Sequence, residues 1–231
     1  MNDKLLVRPS DSPLVHSVTQ WTIGDNSNLA CPDGLWDLVV YRGALGTFLL
    51  LTGQTTRVVA LPFQPGDEVL TVSFKASTYL TPYPASARID KAEVLTQRGR
   101  RFELGSDVLE IPRFDNAEDL VTALQRRNLV ATDPLVDAYL ASHPMASSLR
   151  SLQRHFQRTT GLAPRAFHAI DRALGAADWL REGRSASQVA AEAGYADQAH
   201  LSRAIKAILG RTPSQLQAEG LAQVGVRIQD R

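Results

Sequence analysis

Arginine and glutamine are the side chains whose paired hydrogen-bonding groups match the edges of guanine and adenine in the major groove. In this chain one set of them has a polar and basic counterpart at a fixed offset. Arg150, Gln153, Arg154 and Gln157 form one set, and Ala199, Ser202, Arg203 and Lys206 occupy the same positions 49 residues later. The first copy reads SLRSLQRHFQRTTGLAPRAF from Ser148 and the second DQAHLSRAIKAILGRTPSQL from Asp197. At that offset Leu152 falls on Leu201, Arg154 on Arg203, Gly161 on Gly210 and Pro164 on Pro213. Phe156 falls on Ile205 and Phe167 on Leu216; upstream, Leu140-Ala141 falls on Val189-Ala190. Two copies are too few for a solenoid. They read as one helical device used twice.

Helical periodicity separates the faces of each copy. Leu149, Leu152 and Phe156 gather on one side of the first, opposite its arginines and glutamines. Leu201, Ile205 and Ile208 do the same in the second. A shorter helix precedes each, over Leu135 to Ser142 and Ala186 to Ala193, with Gly194 in the second turn. Helix, turn and helix with an outward basic face describes a helix-turn-helix reader of double-stranded DNA. Between the copies, Pro164 suits a first helical turn and opens a linker helix to about Glu182, stopped by Gly183. Its apolar side is Phe167, Ile170, Leu174, Ala177 and Trp179-Leu180. A rigid helix there would fix the separation and rotation of the two readers.

SLRSLQRHFQRTTGLAP, SQVAAEAGYADQAHLSR and GRTPSQL together resemble the DNA-binding domain of the AraC/XylS family of bacterial transcriptional regulators, over roughly Asp133 to Leu216. The resemblance implies helix-turn-helix units at about 133–160 and 185–210. Arg150, Gln153 and Arg154 match the first recognition helix, and Gln198, Ala199, His200, Ser202 and Arg203 the second. Ser148, Ser151, Gln157 and Lys206 complete the expected DNA-binding set. Two positions depart from the family pattern: Pro144-Met145 in the first turn, and Ile205 where the family commonly has Phe.

The 231 residues have room for two domains, and 44% apolar content can fill a sizeable core. Net charge is +1, unevenly placed. Between Pro144 and Pro213, 10 Lys/Arg face 5 Asp/Glu, whereas up to Thr132 the balance is 13 against 15. Positive charge therefore concentrates where phosphate would be met. The sequence contains no run of apolar residues long enough to span a bilayer, and MNDKLLVRPSD lacks the apolar core of a signal peptide. Cys31, the single cysteine, allows no internal disulfide, so a cytoplasmic location without membrane contact is expected.

Ahead of the repeat, residues 1–13 are expected to be a poorly ordered arm and the next hundred to form short strands. VHSVTQWTI, Trp36 to Tyr41, Thr47 to Leu51, Arg57 to Leu61 and Val69 to Phe74 are the candidates. Gly24-Asp25-Asn26, Pro32-Asp33-Gly34, Gly43 to Gly46, Gly53 and Pro65-Gly66-Asp67 are the turns between them. Such spacing suggests a cupin-like barrel or a sandwich, giving an α+β chain: a β-rich effector or dimerisation domain over 1–130, then an all-α domain over 131–231. Asp115 or Asn116 can cap a helix to about Arg127, with Leu120, Val121 and Leu124 facing either the sheet or a dimer partner. Asn128 to Asp133 reads as a connection, and the tail after Gly220 as a frayed end. The CPDGLWDLVV and GSDVLEIPRFDNAEDLV stretches are similar to N-terminal domains attached to a subset of AraC-type regulators.

Enzymatic readings fare worse. A metal-bearing cupin needs clustered ligands and this region offers only His16; alkyl transfer to a metal-activated thiol, as in some repair proteins carrying this DNA-binding unit, needs several cysteines. No catalytic residues, metal or cofactor are expected. The alternatives to a regulator are a metal-free cupin-like enzyme and a repair protein with a borrowed DNA-binding module. Trp21 and Trp36 are expected in the core, and Cys31 as a structural residue beside its turn. The expected partner is operator DNA, with a small-molecule effector, RNA polymerase and a second copy of the chain as further candidates.

Overall fold

Alternating apolar residues make strands here because each second side chain can reach a core. The computed structural model describes residues 4–24, 29–144 and 147–219. Its first half contains β1 (Lys4–Arg8), β2 (Val15–Thr22), β3 (Leu29–Ala30), β4 (Trp36–Gly43), β5 (Gly46–Thr52), β6 (Val59–Ala60), β7 (Glu68–Phe74), β8 (Thr78–Leu80) and β9 (Ala92–Leu95). β10 (Gln97–Arg98), β11 (Arg101–Leu104), β12 (Asp107–Glu110), α1 (Ala117–Arg126) and β13 (Val130–Thr132) follow. Six strands form one antiparallel sheet in the order β1-β2-β7-β4-β5-β9. The sheet is open, with β1 and β9 at its edges.

Both faces of its centre are covered. On one, Val18, Leu38, Val40, Leu49, Leu51 and Val72 join Phe102, Leu104 and Leu109 of the small β10-β11-β12 sheet and Leu120, Val121 and Leu124 of α1. The α1 stripe therefore covers the sheet, the first of its two expected uses. On the other face Val39, Tyr41 and Val69 pack with Ile23 and Phe63. Trp36 is a core residue, stacked on Phe74 at 3.9 Å with its indole N–H donating to Thr78 O at 2.7 Å; Trp21 is half-buried. Asp67 locks the β4–β5 turn by accepting from Tyr41 Oη at 2.5 Å and Ala44 N–H at 2.9 Å.

Several expectations need correction. Lys4–Arg8, placed in an arm by its prolines, is a strand: β1 pairs with β2 from Lys4↔Thr22 to Arg8↔Val18, and Arg8 grips Glu118 of α1 through both guanidinium amines at 2.7 and 2.8 Å. Of Arg57 to Leu61 only Val59–Ala60 is a strand, bridging β3. Asn128 to Asp133 is no loose connection, because β13 pairs with β8. Asn116 stands at the N-cap of α1 without a side-chain capping bond, its side-chain Oδ1 accepting instead from Arg113 N–H. Asp25, Asn26, Met145 and the tail from Gly220 lie outside the described residues.

The second half is helical: α2 (Pro134–Leu140), α3 (Leu149–Thr160), α4 (Pro164–Arg181), α5 (Ala186–Glu192), α6 (Gln198–Leu209) and α7 (Pro213–Glu219). The first unit has a small core of Val136, Leu152 and Phe156, flanked by Tyr139 and Phe167. The second has a larger one, with Ala173, Ala176, Ala177 and Leu180 of α4 against Val189, Ala190, Leu201, Ile205, Leu209 and Leu216.

Candidate nucleic-acid interface

The repeat is carried by its caps as much as by its faces. Ser148 Oγ accepts from Ser151 N–H at 3.2 Å to start α3, and 49 residues on the Asp197 carboxylate accepts from His200 N–H at 2.6 Å to start α6. Each helix ends on a left-handed glycine, Gly161 at φ 76° and Gly210 at φ 66°. Gln157 and Lys206, again equivalent, donate to the carbonyls of those glycines at 2.8 and 3.0 Å. Both remain exposed, but their polar ends complete C-caps.

The leading helices are less alike. α5 opens on a capping box between Ser185 and Gln188, and the turn to α6 runs through Gly194 at φ 70° and the buried Tyr195. α2 starts on Asp133 and ends at Leu140, so its turn to α3 spans eight residues against five in the second unit. The matching of Leu140-Ala141 to Val189-Ala190 therefore fails in space. Val189 and Ala190 are buried, whereas Leu140 is half-buried and Ala141 exposed; Val136 fills the core instead. Leu149 also departs from its assigned face. It is 80% exposed, because it stands at the first helical position beyond the long turn.

Among the expected DNA-binding residues, Ser148, Arg150, Gln153, Arg154 and Gln157 on the first unit and Gln198, Ala199, Arg203 and Lys206 on the second are exposed. Ser151, His200 and Ser202 are half-buried. His200 sits edge-on to Tyr195 with ring centroids 5.2 Å apart, and its Nδ1 accepts from Ala196 N–H at 3.3 Å, which leaves the proton on Nε2. Ser202 Oγ donates back to Gln198 O at 2.8 Å.

Charge pairing separates the remaining cations sharply. Arg181 meets Asp178 and Glu219, Arg184 meets Glu182 and Glu192, Arg211 meets Glu219, and Arg172 lies 4.5 Å over the ring of Tyr195. Arg150, Arg154, Arg165 and Arg203 are exposed and have no ion pair among the described residues. The acids of the helical half are spent on its frame, which leaves the outward faces of α3 and α6 positive.

One group was not singled out in the sequence, where Asp133 reads only as the end of a connection. Asp133, with a fully buried side chain, accepts from Leu135 and Val136 N–H, from His155 Nδ1 at 2.8 Å, Arg158 at 2.7 Å and Thr159 Oγ1 at 3.1 Å. Its own N–H donates to Ser77 O at 2.8 Å. Burial pushes its pKa up, but the bonds from Arg158, His155, Val136 and Thr159 outweigh that and hold it below the usual carboxylate value. The Asp-Pro step at 133–134 signals a helix start. No spacing rule would have added His155 or Arg158.

The β-rich half also touches the C-terminal ends of both α3 and α6. A Cβ on Gly161 would meet Ile89 at 2.8 Å, and one on Gly210 would meet Val58 at 3.2 Å. Cys31 packs on the second unit's core with Sγ 3.9 Å from Leu209 O, and burial raises its thiol pKa.

Residues 142–219 match the family model described as a helix-turn-helix domain. The domain is of the AraC type. With this match and the two capped, outward-basic helices, the chain is a DNA-binding transcription regulator with a β-rich first half. A solved structure of ToxT from Vibrio cholerae is similar at 9% identity and a TM-score of 0.40, over 95% of this chain and 98% of that one. No curated protein matches the sequence. The AraC-type match begins after α2, so the first unit's leading helix lies upstream of it. Among the described residues, no helix is long and apolar enough to cross a membrane and no three His, Cys, Asp or Glu side chains cluster as metal ligands.

Proposed function

We propose that α3 and α6 are recognition helices that enter neighbouring major grooves of one operator duplex. In this reading Arg150, Gln153 and Arg154 read base edges from α3, and Gln198 and Arg203 from α6. Ser148, Ser151, Gln157, Ala199, His200, Ser202 and Lys206 border them and approach sugar and phosphate, as does Arg165 at the start of α4, a residue the repeat did not single out. α4, at 18 residues about 27 Å long, sets the register between the two helices. The β-rich domain, roughly 1–130, acts on the DNA-binding domain, roughly 131–231, as the seat of a small-molecule effector.

The observation that carries the proposal is the segregation of charge: Arg181, Arg184 and Arg211 on the frame are paired with acids, and Arg150, Arg154 and Arg203 on the two outward faces are not. Selection of bound sequences from a random DNA pool supplies the operator. On it, Arg154→Ala and Arg203→Ala should each cost about 1–3 kcal/mol of specific binding, the usual worth of a good base contact. Log affinity should fall linearly with log salt, with a slope of about −0.9 per phosphate neutralised. Unchanged binding by both variants, or an affinity indifferent to salt, would remove these faces from the interface.

A further inference from the structure

Arg88 and Gln54 lie on adjoining backbone segments, where Gly53 N–H donates to Lys91 O and Asp90 N–H to Gln54 O, each at 3.0 Å. Gln54 is fully buried, and neither atom of its amide has a hydrogen-bond partner among the described residues. Arg88 is 7% exposed, and its Nε and Nη1 are equally without partners. The guanidinium sits 5.8 Å from the ring of Trp36 and 6.0 Å from that of Tyr83. Glu93 favours the charge from a distance, but it is exposed on β9 and makes no ion pair with Arg88 among the described residues. Buried polar groups are almost always satisfied, and a buried charge is normally paired. Here burial depresses the Arg88 pKa, with Glu93 and Tyr83 only partly opposing it. A guanidinium beside two aromatic rings and a buried carboxamide, both with unsatisfied N–H groups, present the donors that an oxyanion takes.

The position of this pair connects it to α3. Arg88 closes the short 3₁₀ turn Ala85–Ala87, and that turn packs on α3. Ala85 and Ile89, on either side, abut Gly161 at the C-cap of α3. We propose that Arg88 and Gln54 anchor the carboxylate of a small organic effector, and that the 3₁₀ turn passes its binding to the first recognition helix. This deepens the effector role proposed above and rests on it, naming the ligand class and the site. The ligand's charge replaces the missing counterion, and any difference in how it binds the two settings of the turn biases α3.

The test uses the full chain without DNA, so its outcome is independent of operator recognition. Thermal unfolding is followed with benzoate, hexanoate, inorganic phosphate and uncharged benzamide, for wild type and Arg88→Met. A saturable rise in melting temperature with a carboxylate, absent with benzamide and weakened at least about tenfold in apparent affinity by Arg88→Met, is expected. Without ligand, Arg88→Met should melt at or above wild type, because an unpaired buried charge is gone. If Arg88→Met does not fold, Gln54→Leu takes its place in the same comparison. Equal carboxylate shifts in wild type and variant overturn the site. A shift with phosphate alone overturns the carboxylate assignment, and no saturable shift with any anion overturns the proposal.

Discussion

Removing the Asp133 carboxylate should loosen the first helix-turn-helix unit and leave the second intact. The size of the effect follows from its partners. Losing an N-cap costs about 1 kcal/mol. Hydrogen bonds to a charged group are each worth about 1.5–3 kcal/mol when dry, but Arg158 is 60% and His155 32% exposed, so water takes over much of their loss. Asp133→Ala should therefore cost roughly 2–3 kcal/mol, and Asp133→Asn, which still caps, about 1 kcal/mol. Native-state hydrogen exchange reads the change locally. At about 1.4 kcal/mol per tenfold, amides of α3 should lose roughly 30- to 150-fold protection in Asp133→Ala. Those of α6, whose core is separate, should not change. The sign with pH also follows. Because the folded pKa lies below the ordinary value of about 3.9, the contribution is complete above that value and is lost as pH falls through the folded one. Acid should thus release α3 before α6, after correction for intrinsic exchange. An Asp133→Ala protein whose α3 protection stays within about threefold of wild type, or whose α6 falls in parallel, would refute the reasoning.

The left-handed glycines should rank by their surroundings. Gly194→Ala meets nothing within 4 Å and should cost only the left-handed backbone term, about 1–2 kcal/mol. Gly210→Ala adds a contact that Val58 can relieve, and Gly161→Ala adds close approaches to Ile89 and the Ala85 backbone, so in urea unfolding the order of damage should be 161, then 210, then 194; the reverse order would contradict the packing. Glu118, bonded by Arg8 against the opposing effect of burial and aided by Ser10, has its carboxyl held at about 2. Its contribution is present above the ordinary glutamate pKa, about 4.3, and lost as pH falls through about 2. The stability gap between wild type and Glu118→Gln should accordingly close in strong acid, and a gap that persists there would exclude the ion pair as its source.

The sequence made α3 and α6 legible because each couples a 3.6-residue apolar stripe to caps at both ends, and the repeat doubled the signal. Strands β2, β4, β5 and β7 were legible for a similar reason, since runs rich in Val, Leu and aromatic residues lie between turn residues. β1 was not: Leu5, Leu6 and Val7 do not alternate, all three are exposed, and the strand exists through its pairing with β2. The short strands from Gln97 to Glu110 carry too few residues each to show a period. Leu140-Ala141 was misread because matching by residue type carried the α3–α6 offset upstream across a turn of different length. Nothing in the local pattern singles out Arg88 and Gln54, and only tertiary packing buries them.

The two units differ in where their stability comes from, and the difference bears on regulation. The second closes on its own core, and its contacts with the β-rich half, Cys31 beside Leu209 and Val58 beside Gly210, lie at the edge of that core. The first has a buried core of Val136, Leu152 and Phe156, and leans on β8, Ser77, the 3₁₀ turn and Asp133 for the rest. No flexible tether separates it from the sheet: β13 ends at Thr132, and Asp133 is already the cap of α2. A perturbation inside the β-rich half therefore reaches α3 through short connections, while α6 is held chiefly by α4 and α5. A regulator built this way can keep one grip on DNA constant and vary the other, so an effector should change the contribution of Arg154 to binding far more than that of Arg203. A double-mutant cycle between ligand and each arginine measures that difference directly, and equal coupling at the two positions would mean that the β-rich half moves the domain as one body.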